Sequence, residues 1–282
     1  MNFLEKLKNN INNLPTLPTV YAAISEAMAD PNARTEKIAQ IISADQASAF
    51  KILKVANSPF YGFRGRIETV SQAILFLGYG EIKNIIFALT IMNYFSKDKS
   101  AHRFNPVDCW AHSIGVGIIT RYIGSITGER NVENYFLSGV LHDIGKVLFF
   151  EFASKEYTEA IKLAENNNLL IRDAELQVFG VDHSVAGSIL SEKWKIPPSI
   201  QSVIKNHHSG IDKSEHKKIV AAVHVADIAA RALGLGYPGD NFIPQPNSEV
   251  LTILNIPPGY FNGLSEVVLQ EYENFIRLML VD

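Results

Sequence analysis

The sequence predicts an all-α protein, and three observations support this fold class. Apolar residues recur at the 3.6-residue spacing of a helix, as in the stripe Ile82, Ile85, Ile86 and Leu89. No segment alternates apolar and polar residues around an Asn-Gly or Asp-Gly turn, which is the pattern of a β-hairpin. Glycine and proline divide the rest of the chain into segments of helical length.

The first part of the chain contains signals for the start and the end of a helix. Ser43 and Gln46 have the spacing of a capping box and predict a helix that runs to about Ala56. The segment Asn57-Ser58-Pro59 then ends it, because the residue before a proline is disfavoured in the α conformation. The sequence therefore predicts short helices joined by tight turns in this region.

A polar, charged stretch at residues 96–105 predicts a boundary between two helical bundles. Seven of the eight histidines follow this stretch, whereas the region before it has no comparable group of chemically active residues. We expect an N-terminal bundle (residues 1–98) that packs against a second bundle (residues 99–282), and any chemistry should lie in the second.

Composition excludes several classes of protein. The 26 basic and 29 acidic residues give a net charge of −3, which argues against a nucleic-acid partner held by bulk charge. The single cysteine, Cys109, cannot form an intrachain disulfide, and this favours a reducing compartment. The longest apolar stretch, residues 85–92, is too short for a membrane helix, which needs about 20 apolar residues. The sequence therefore predicts a cytoplasmic protein without membrane contact.

The adjacent pair His142 and Asp143 lies inside an apolar run that extends from Leu137 to Leu148. A buried carboxylate needs a compensating partner, since an unpaired charge in an apolar interior costs several kcal/mol. This cost is on the order of the free energy of unfolding of a whole domain. A helix cap beside a hydrogen-bonded histidine is one way to satisfy the pair. A divalent cation is another, because imidazole and carboxylate together suit Zn, Fe, Mn, Ni or Co.

Other residues of ligand type also lie in or beside apolar helical segments. They are His112, His183, His207, His208 and Asp227. Each alone is expected to be a hydrogen-bonded core residue or a surface residue. Together with His142 and Asp143, in this order along the chain, they predict one metal site. His224 lies three residues before Asp227 and could support it from outside the ligand shell.

The order His112, His142-Asp143, Asp227 resembles the signature of the HD superfamily of metal-dependent phosphohydrolases. A narrower resemblance, to the HDOD (HD-related output domain) family of bacterial signalling proteins, covers about residues 14–230. It rests on Leu-Pro-Thr-Leu-Pro at 14–18, Ile-Ile-Ser-Ala-Asp at 41–45, Leu-Lys-Val-Ala-Asn-Ser at 53–58 and Ala-Ile-Leu-Phe-Leu-Gly at 73–78. Gly-Val-Asp-His at 180–183, Trp-Lys-Ile-Pro at 194–197 and the His-His pair at 207–208 fit the same family.

The chain departs from the common HDOD pattern in two ways, and the more important is that it keeps the HD-site ligands that many HDOD members have lost. HDOD members commonly have Asp-Pro where this chain has Asp45-Gln46, which is a small change at a helix start. HD-GYP phosphodiesterases have Gly-Tyr-Pro shortly after the His-His pair, but Ser209 and Gly210 follow it here. Gly-Tyr-Pro at 236–238 lies after Asp227 and is interpreted as coincidence. Activity on a cyclic dinucleotide is therefore not implied.

The resemblance implies a ligand set and catalytic residues. His112, His142, Asp143 and Asp227 would hold one divalent transition metal, and Asp143 could bridge to a second held by His183 with His207 or His208. Asp143 and Lys146 are the predicted catalytic residues. Lys146 lies four residues after His142, and so on one face of a continuous helix, where it could contact a phosphate.

Two functions of different classes follow. The first is a signalling protein with a metal-dependent phosphohydrolase or phosphodiesterase centre that acts on a phosphoester or nucleotide. The second is a non-catalytic regulatory module that binds a protein or nucleotide partner, with a structural metal site. A signalling-protein partner is expected in both cases.

Overall fold

The structure, a computed structural model, describes residues 3–9, 23–24, 26–27, 34–58, 61–63, 65–95, 105–256 and 264–279. Every regular element in these ranges is a helix, so the predicted all-α class is confirmed. The helices are α1 (Phe3–Asn9), α2 (Thr35–Ser43), α3 (Gln46–Ala56), α4 (Val70–Leu77), α5 (Tyr79–Phe95), α6 (Pro106–Ile126), α7 (Val132–Leu141), α8 (Ile144–Asn167), α9 (Ile171–Phe179), α10 (His183–Lys193), α11 (Pro198–Asn206), α12 (Lys217–Ala232), α13 (Val250–Leu254) and α14 (Leu264–Met279).

The chain divides into two compact units. The histidine unit comprises Met1–Pro15 and Asp98–Val268, and the N-terminal unit comprises Thr16–Lys97 and Leu269–Asp282. Residues 96–104 and the motif at 14–18 lie outside the described residues. The predicted division into residues 1–98 and 99–282 therefore stays a prediction.

Aliphatic side chains from α2 to α5 form the core of the N-terminal unit. At the start of α4, the Thr69 hydroxyl accepts from the Gln72 backbone N–H, and the Gln72 side chain accepts from the Thr69 N–H. The capping box predicted at Ser43 and Gln46 is wrong, because Ser43 ends α2 and Gln46 begins α3. The predicted end at Ala56 is confirmed.

The Asn57 side chain joins the end of α3 to the segment before α4. Its amide donates to the Leu53 and Ile67 carbonyl oxygens at 2.8 and 2.7 Å, and its carbonyl accepts from the Ile67 N–H at 2.8 Å. These bonds satisfy backbone groups that the turn would otherwise leave without partners. Asn57, part of the motif at 53–58, thus has a structural role.

Helix α6 is the central helix of the histidine unit. Every residue from Cys109 to Thr120 is buried, and α7 and α12 pack along it. A helix that is buried all round belongs at the centre of a bundle. His112 lies within this stretch, so its imidazole is held inside the protein rather than at the surface.

A membrane-spanning helix needs about 20 consecutive apolar residues. Within the described ranges, no single helix combines the required length with the required apolar character. The segments Val70–Leu77 of α4 and Tyr79–Leu89 of α5 have this length and apolar character only when they are taken together. A bend of 115° separates the two segments.

Candidate metal centre

All seven predicted metal ligands come together in the histidine unit. Their backbones occupy helix ends and helix interiors: His112 in α6, His142 and Asp143 between α7 and α8, His183 at the first position of α10, His207 and His208 after α11, and Asp227 in α12. Apart from His208, which is partly buried, each is at most 6% exposed. This is the convergence of distant histidines and carboxylates that the sequence predicted.

The close crossing of α8 and α10 depends on Gly145. A Cβ atom on Gly145 would lie 1.8 Å from the backbone oxygen of His183 and 2.6 Å from the backbone nitrogen of Gly187. Only glycine leaves room for this approach. The contact places the His183 Nε2 atom 3.0 Å from the Asp143 Oδ1 atom, so the glycine three residues after His142 helps to build the site.

The ligand atoms form three overlapping groups. Within each group, one nitrogen or oxygen atom per residue lies within 4.8 Å of the others. The groups are His112 with His142 and Asp227, His142 with Asp143 and His207, and His183 with His207 and His208. Because neighbouring groups share a histidine, the donor set can hold one cation or two adjacent cations.

The Nδ1 atoms of His142, His183 and His207 are each fixed by an acceptor. His142 Nδ1 donates to the Gly139 carbonyl oxygen at 2.7 Å, and His207 Nδ1 donates to the Ile204 carbonyl oxygen at 3.0 Å. His183 Nδ1 lies 2.6 Å from the Glu175 carboxylate. With the proton on Nδ1, a neutral ring presents the lone pair of Nε2, which is the form that binds a metal.

The Nε2 atoms of these rings are buried and make no hydrogen bond. Those of His142, His183, His207 and also His208 lack a hydrogen-bond partner. Three of them nevertheless face the Asp143 carboxylate, at 3.2 Å for His142, 3.0 Å for His183 and 3.7 Å for His207. Buried polar atoms without partners are rare in proteins. Lone pairs and a carboxylate around one point fit a divalent transition-metal ion.

His112 and Asp227 make a similar pair on the other side of His142. His112 has acceptors at both nitrogens, the Leu235 carbonyl oxygen at 3.2 Å and Asp227 Oδ1 at 2.9 Å. A neutral imidazole has one N–H for these two acceptors. Burial lowers the pKa of His112, although Asp227 opposes the shift, so the ring is neutral at pH 7. A cation could therefore occupy the place of the missing proton.

Electrostatics keep most of the ligands in metal-binding form. Burial alone would raise the pKa of Asp143, but His142, Lys146 and His183 hold it well below its usual range. Burial lowers the pKa of His207 to about 3. For His183 burial also favours the neutral ring, yet Glu175 and Asp143 raise its pKa to about 9. Metal binding at His183 would therefore release a proton.

Two buried basic side chains already contact the carboxylates. Lys146 Nζ donates to Asp143 Oδ2 at 2.5 Å and to the Pro238 carbonyl oxygen at 2.8 Å. Arg231 Nε donates to Asp227 Oδ1 at 3.0 Å, and its Nη1 atom donates to Asp240 at 2.8 Å. Burial alone would raise the pKa of the Asp227 carboxyl, but Arg231 and His112 outweigh burial and hold this pKa well below its usual range. Asp227 and Arg231 therefore form an ionised pair.

The irregular segment at residues 234–247 closes over the site, and we call it the strap. Its Leu235 and Pro238 carbonyl oxygens accept from His112 and Lys146, and Asp240 accepts from Arg231. Gly236 has a φ of +65°, and a Cβ there would lie 2.2 Å from the His112 backbone nitrogen. The Gly-Tyr-Pro at 236–238, interpreted from sequence as coincidence, thus belongs to a segment that lines the site.

Comparison with known families is consistent with this geometry. The family model described as the HDOD domain matches residues 14–210. The chain belongs to the HDOD family. The domain is of the signalling type, and its His/Asp cluster could bind metal.

Two solved structures resemble the HDOD chain over nearly its whole length. One is an HDOD domain protein of unknown function from Geobacter sulfurreducens, with 27% identity, a TM-score of 0.74 and coverage of 95% of this chain and 93% of that one. The other, from Shewanella amazonensis, is provisionally described as a metal-dependent phosphohydrolase. It has 19% identity, a TM-score of 0.70 and coverage of 98% and 96%, and this likeness shows the fold alone.

Curated relatives of the HDOD chain are longer proteins. An uncharacterised protein of Treponema pallidum is 21% identical over 229 residues, which are 80% of this chain and 44% of that protein. A ribonuclease Y of Mycoplasma mycoides is 31% identical over 151 residues, or 53% of this chain and 24% of the enzyme. The HDOD chain thus spans less than half the length of these relatives.

The structure adds site residues that sequence reasoning missed. Glu175 and Arg231 contact predicted ligands, and only Arg231 carried a signal, its position four residues after Asp227 on one helix face. His224 supports a different residue than expected, since its Nδ1 atom donates to the His207 carbonyl oxygen at 2.8 Å.

One expectation for Lys146 was wrong in its geometry. His142 and Lys146 do not lie on one continuous helix, because α7 ends at Leu141 and α8 begins at Ile144. The break allows Asp143 to turn its carboxylate inward, where Lys146 contacts it from the first turn of α8. Lys146 therefore reaches the centre through Asp143 and not from beside His142.

Proposed function

We propose that the HDOD chain holds one or two divalent transition-metal ions in this centre and hydrolyses a phosphoester or nucleotide there. The observation that carries the proposal is the set of buried imidazole Nε2 atoms without hydrogen-bond partners around the Asp143 carboxylate. The similarity of about half of the chain to part of a ribonuclease Y supports phosphoester chemistry as the reaction class.

The proposed ligands divide between two positions. His112, His142, Asp143 and Asp227 would hold the first ion, and His183 with His207 or His208 would hold the second, with Asp143 between them. The mixed nitrogen and oxygen donors suit Fe, Mn, Zn, Ni or Co. Such ions, when bound, lower the pKa of water and neutralise charge on phosphoryl oxygens.

Two residues of the chain have proposed catalytic roles. Asp143 is held ionised by its neighbours and belongs to the middle ligand group, which shares His142 with one neighbouring group and His207 with the other. Lys146 places its ammonium 2.5 Å from that carboxylate. To contact a phosphate, Lys146 would exchange the Pro238 carbonyl oxygen for a phosphoryl oxygen, and the strap would have to move.

Metal analysis of the full chain, purified without chelator, tests the ligand assignment. We expect near-stoichiometric transition metal in the wild type and its loss in His142→Ala and Asp143→Ala. His216→Ala is the matched control, because His216 lies outside the ligand groups. If the two ligand variants bind as much metal as the wild type does, the assignment is wrong.

Turnover of nucleotides, cyclic dinucleotides and a short RNA, with and without added Mn²⁺, tests the reaction. We expect Mn²⁺-dependent release of phosphate or a nucleotide from at least one substrate class, abolished in Asp143→Ala. Absence of turnover across the panel, in protein that carries metal, would contradict the catalytic proposal.

A specific observation favours the second candidate, a non-catalytic regulatory module that binds a protein or nucleotide partner. Apart from His208, the ligands are nearly fully buried, and two cavities lined by ligands among the described residues have volumes of about 20 and 10 Å³, room for about one water molecule each. Lys146 and Arg231 also pair with Asp143 and Asp227, the carboxylates that a catalytic metal centre would use as ligands. Stoichiometric metal without turnover is the result expected for this candidate.

A further inference from the structure

Glu175 is a buried carboxylate that contacts the candidate centre without being one of its ligands. It lies on α9, and its side chain is 0% exposed. Its Oε2 atom accepts two hydrogen bonds from one residue, His183: from Nδ1 at 2.6 Å and from the backbone N–H at 2.9 Å. Glu175 therefore fixes both the ring and the backbone of His183.

The position of Glu175 on α9 is one that packing alone would fill with an apolar residue. Its buried neighbours on this helix are Ile171 and Ala174. A carboxylate in such a place loses its hydration, and it is retained only where specific partners compensate. Its partners include the buried Tyr157 hydroxyl and the His183 ring, whose other nitrogen faces Asp143, and the second contact links the buried carboxylate to the metal-binding geometry.

We infer that Glu175 is a positioning residue of the metal centre, acting through His183. By accepting the Nδ1 proton, the carboxylate leaves Nε2, which lies 3.0 Å from Asp143 Oδ1, as the ring nitrogen that binds a metal. It also sets the plane of the ring and strengthens its donor nitrogen, as carboxylates outside a ligand shell do for metal-bound histidines. This inference rests on the proposed metal site and deepens it at the ligand group of His183, His207 and His208.

A purely structural role makes a different prediction. The bond from the His183 backbone N–H to Glu175 satisfies a free donor at the start of α10. If that bond were the whole contribution of Glu175, its removal would lower stability but leave the affinity of the remaining site for metal unchanged. Metal affinity and stability must therefore be measured separately.

Competition between the whole chain and a chromophoric chelator for Co²⁺ gives the affinity of the site for Co²⁺. We expect Glu175→Ala to weaken Co²⁺ binding 10- to 100-fold, on the order seen for such residues. Glu175→Gln should lose less than Glu175→Ala, because its amide oxygen can accept both bonds from His183. Glu81→Gln is the matched control: Glu81 is a buried glutamate of the N-terminal unit, and we expect no change in Co²⁺ affinity.

A double-mutant cycle tests whether Glu175 acts through His183. His183→Ala should weaken Co²⁺ binding, and adding Glu175→Ala to it should cause little further loss, because the positioned ring is already absent. If the two losses multiply in the double variant, or if folded Glu175→Ala binds Co²⁺ within twofold of the wild type, the inference is overturned.

Nuclear magnetic resonance of protein labelled with ¹⁵N in its histidines covers the case in which Glu175→Ala fails to fold. A slowly exchanging, strongly downfield Nδ1 proton of His183 is expected in the wild type, with or without Zn²⁺, and a smaller downfield shift is expected in Glu175→Gln. Wild-type protein that shows this proton but binds no metal would contradict the proposed function, and with it the positioning role. Zn²⁺-loaded wild type whose His183 carries its proton on Nε2 instead of Nδ1 would overturn the inference alone.

Discussion

The two units of the molecule bury different kinds of side chain. Among the described residues of the N-terminal unit, Ser58 and Glu81 are the buried polar side chains in a core of isoleucine, valine, leucine and alanine. The histidine unit buries imidazoles, carboxylates and the Lys146 ammonium within a few ångströms of one another. The first arrangement is stabilised by removal of apolar surface from water, whereas the second needs a partner for every polar group. Chemistry is therefore expected in the histidine unit.

The largest effect should come from a methyl group placed where the histidine unit is most tightly packed. Gly145→Ala puts a Cβ 1.8 Å from the His183 backbone oxygen, so α8 and α10 must separate. We expect a loss of about 4 kcal/mol or more in the free energy of unfolding, at the upper end for overpacking. Metal binding should be lost as well, because His183 moves away from Asp143. Chemical denaturation and metal analysis measure the two effects.

Gly80→Ala is the control in the N-terminal unit. Gly80 lies in α5, and a Cβ there meets no atom within 4 Å. Alanine at this position should stabilise the helix by up to about 1 kcal/mol. Equal stability losses in the two variants would contradict the view that the glycine of the histidine unit is required by close packing.

The N-terminal unit was predictable from sequence because its rules are local. Periodic isoleucines and a proline after Ser58 are sufficient to give helices and the end of α3 at Ala56. The false capping box at Ser43 and Gln46 shows the limit of such rules. Residues 43–46 fit either the start of one helix or a two-residue turn between two helices. The structure has the turn, because Ser43 ends α2 and Gln46 begins α3.

The candidate centre was predictable only in its ligand types. Histidine and aspartate inside apolar segments are conspicuous, so His112, His142 and Asp227 could be found. Glu175 could not, since one glutamate on an amphipathic helix has the same appearance whether it faces water or His183. The backbone oxygens of Leu235 and Pro238 carry no sequence signal at all, because every residue has a carbonyl.

A second prediction compares a buried ion pair with an exposed one. Arg231→Met removes the guanidinium that contacts Asp227 and Asp240 and leaves both carboxylates buried without it. We expect a loss of about 3 kcal/mol in the free energy of unfolding of chelator-treated protein, as for other buried pairs that lose one partner. Added Mn²⁺ should restore part of this loss if Asp227 is a metal ligand. Denaturation with and without Mn²⁺ measures both.

Arg277→Met is the matched control. Arg277 pairs with Glu273 across one helical turn, but its side chain is 76% exposed. Water screens such pairs, so the substitution should lower the free energy of unfolding by about 0.5 kcal/mol or less. If Mn²⁺ stabilised Arg231→Met no more than it stabilised His142→Ala, a variant that lacks one proposed ligand, Asp227 would have to be removed from the ligand set.

The smallest effect is a pH dependence that belongs to the histidine unit. Burial lowers the pKa of His207 to about 3, whereas an unfolded chain has a histidine pKa of about 6.5. The unfolded state therefore takes up a proton first as the pH falls, and the stabilisation from neutral His207 is complete above pH 6.5 and declines below it. The loss amounts to about 2 kcal/mol at pH 5. His207→Asn should make the fall in stability of metal-free protein between pH 7 and pH 5 shallower by this amount.

His183 gives the opposite sign and a different pH window, which separates the two effects. Its pKa is raised to about 9, so it contributes stability that is complete below pH 6.5 and is lost as the pH rises towards 9. His183→Asn should therefore flatten the alkaline side of the stability profile, while His207→Asn flattens the acidic side. His216→Asn, outside the cluster, serves as the control for a histidine substitution. Acid and alkaline slopes that respond equally to both variants would mean that the cluster titrates as one unit, without the division of proton affinity that Glu175 imposes on His183.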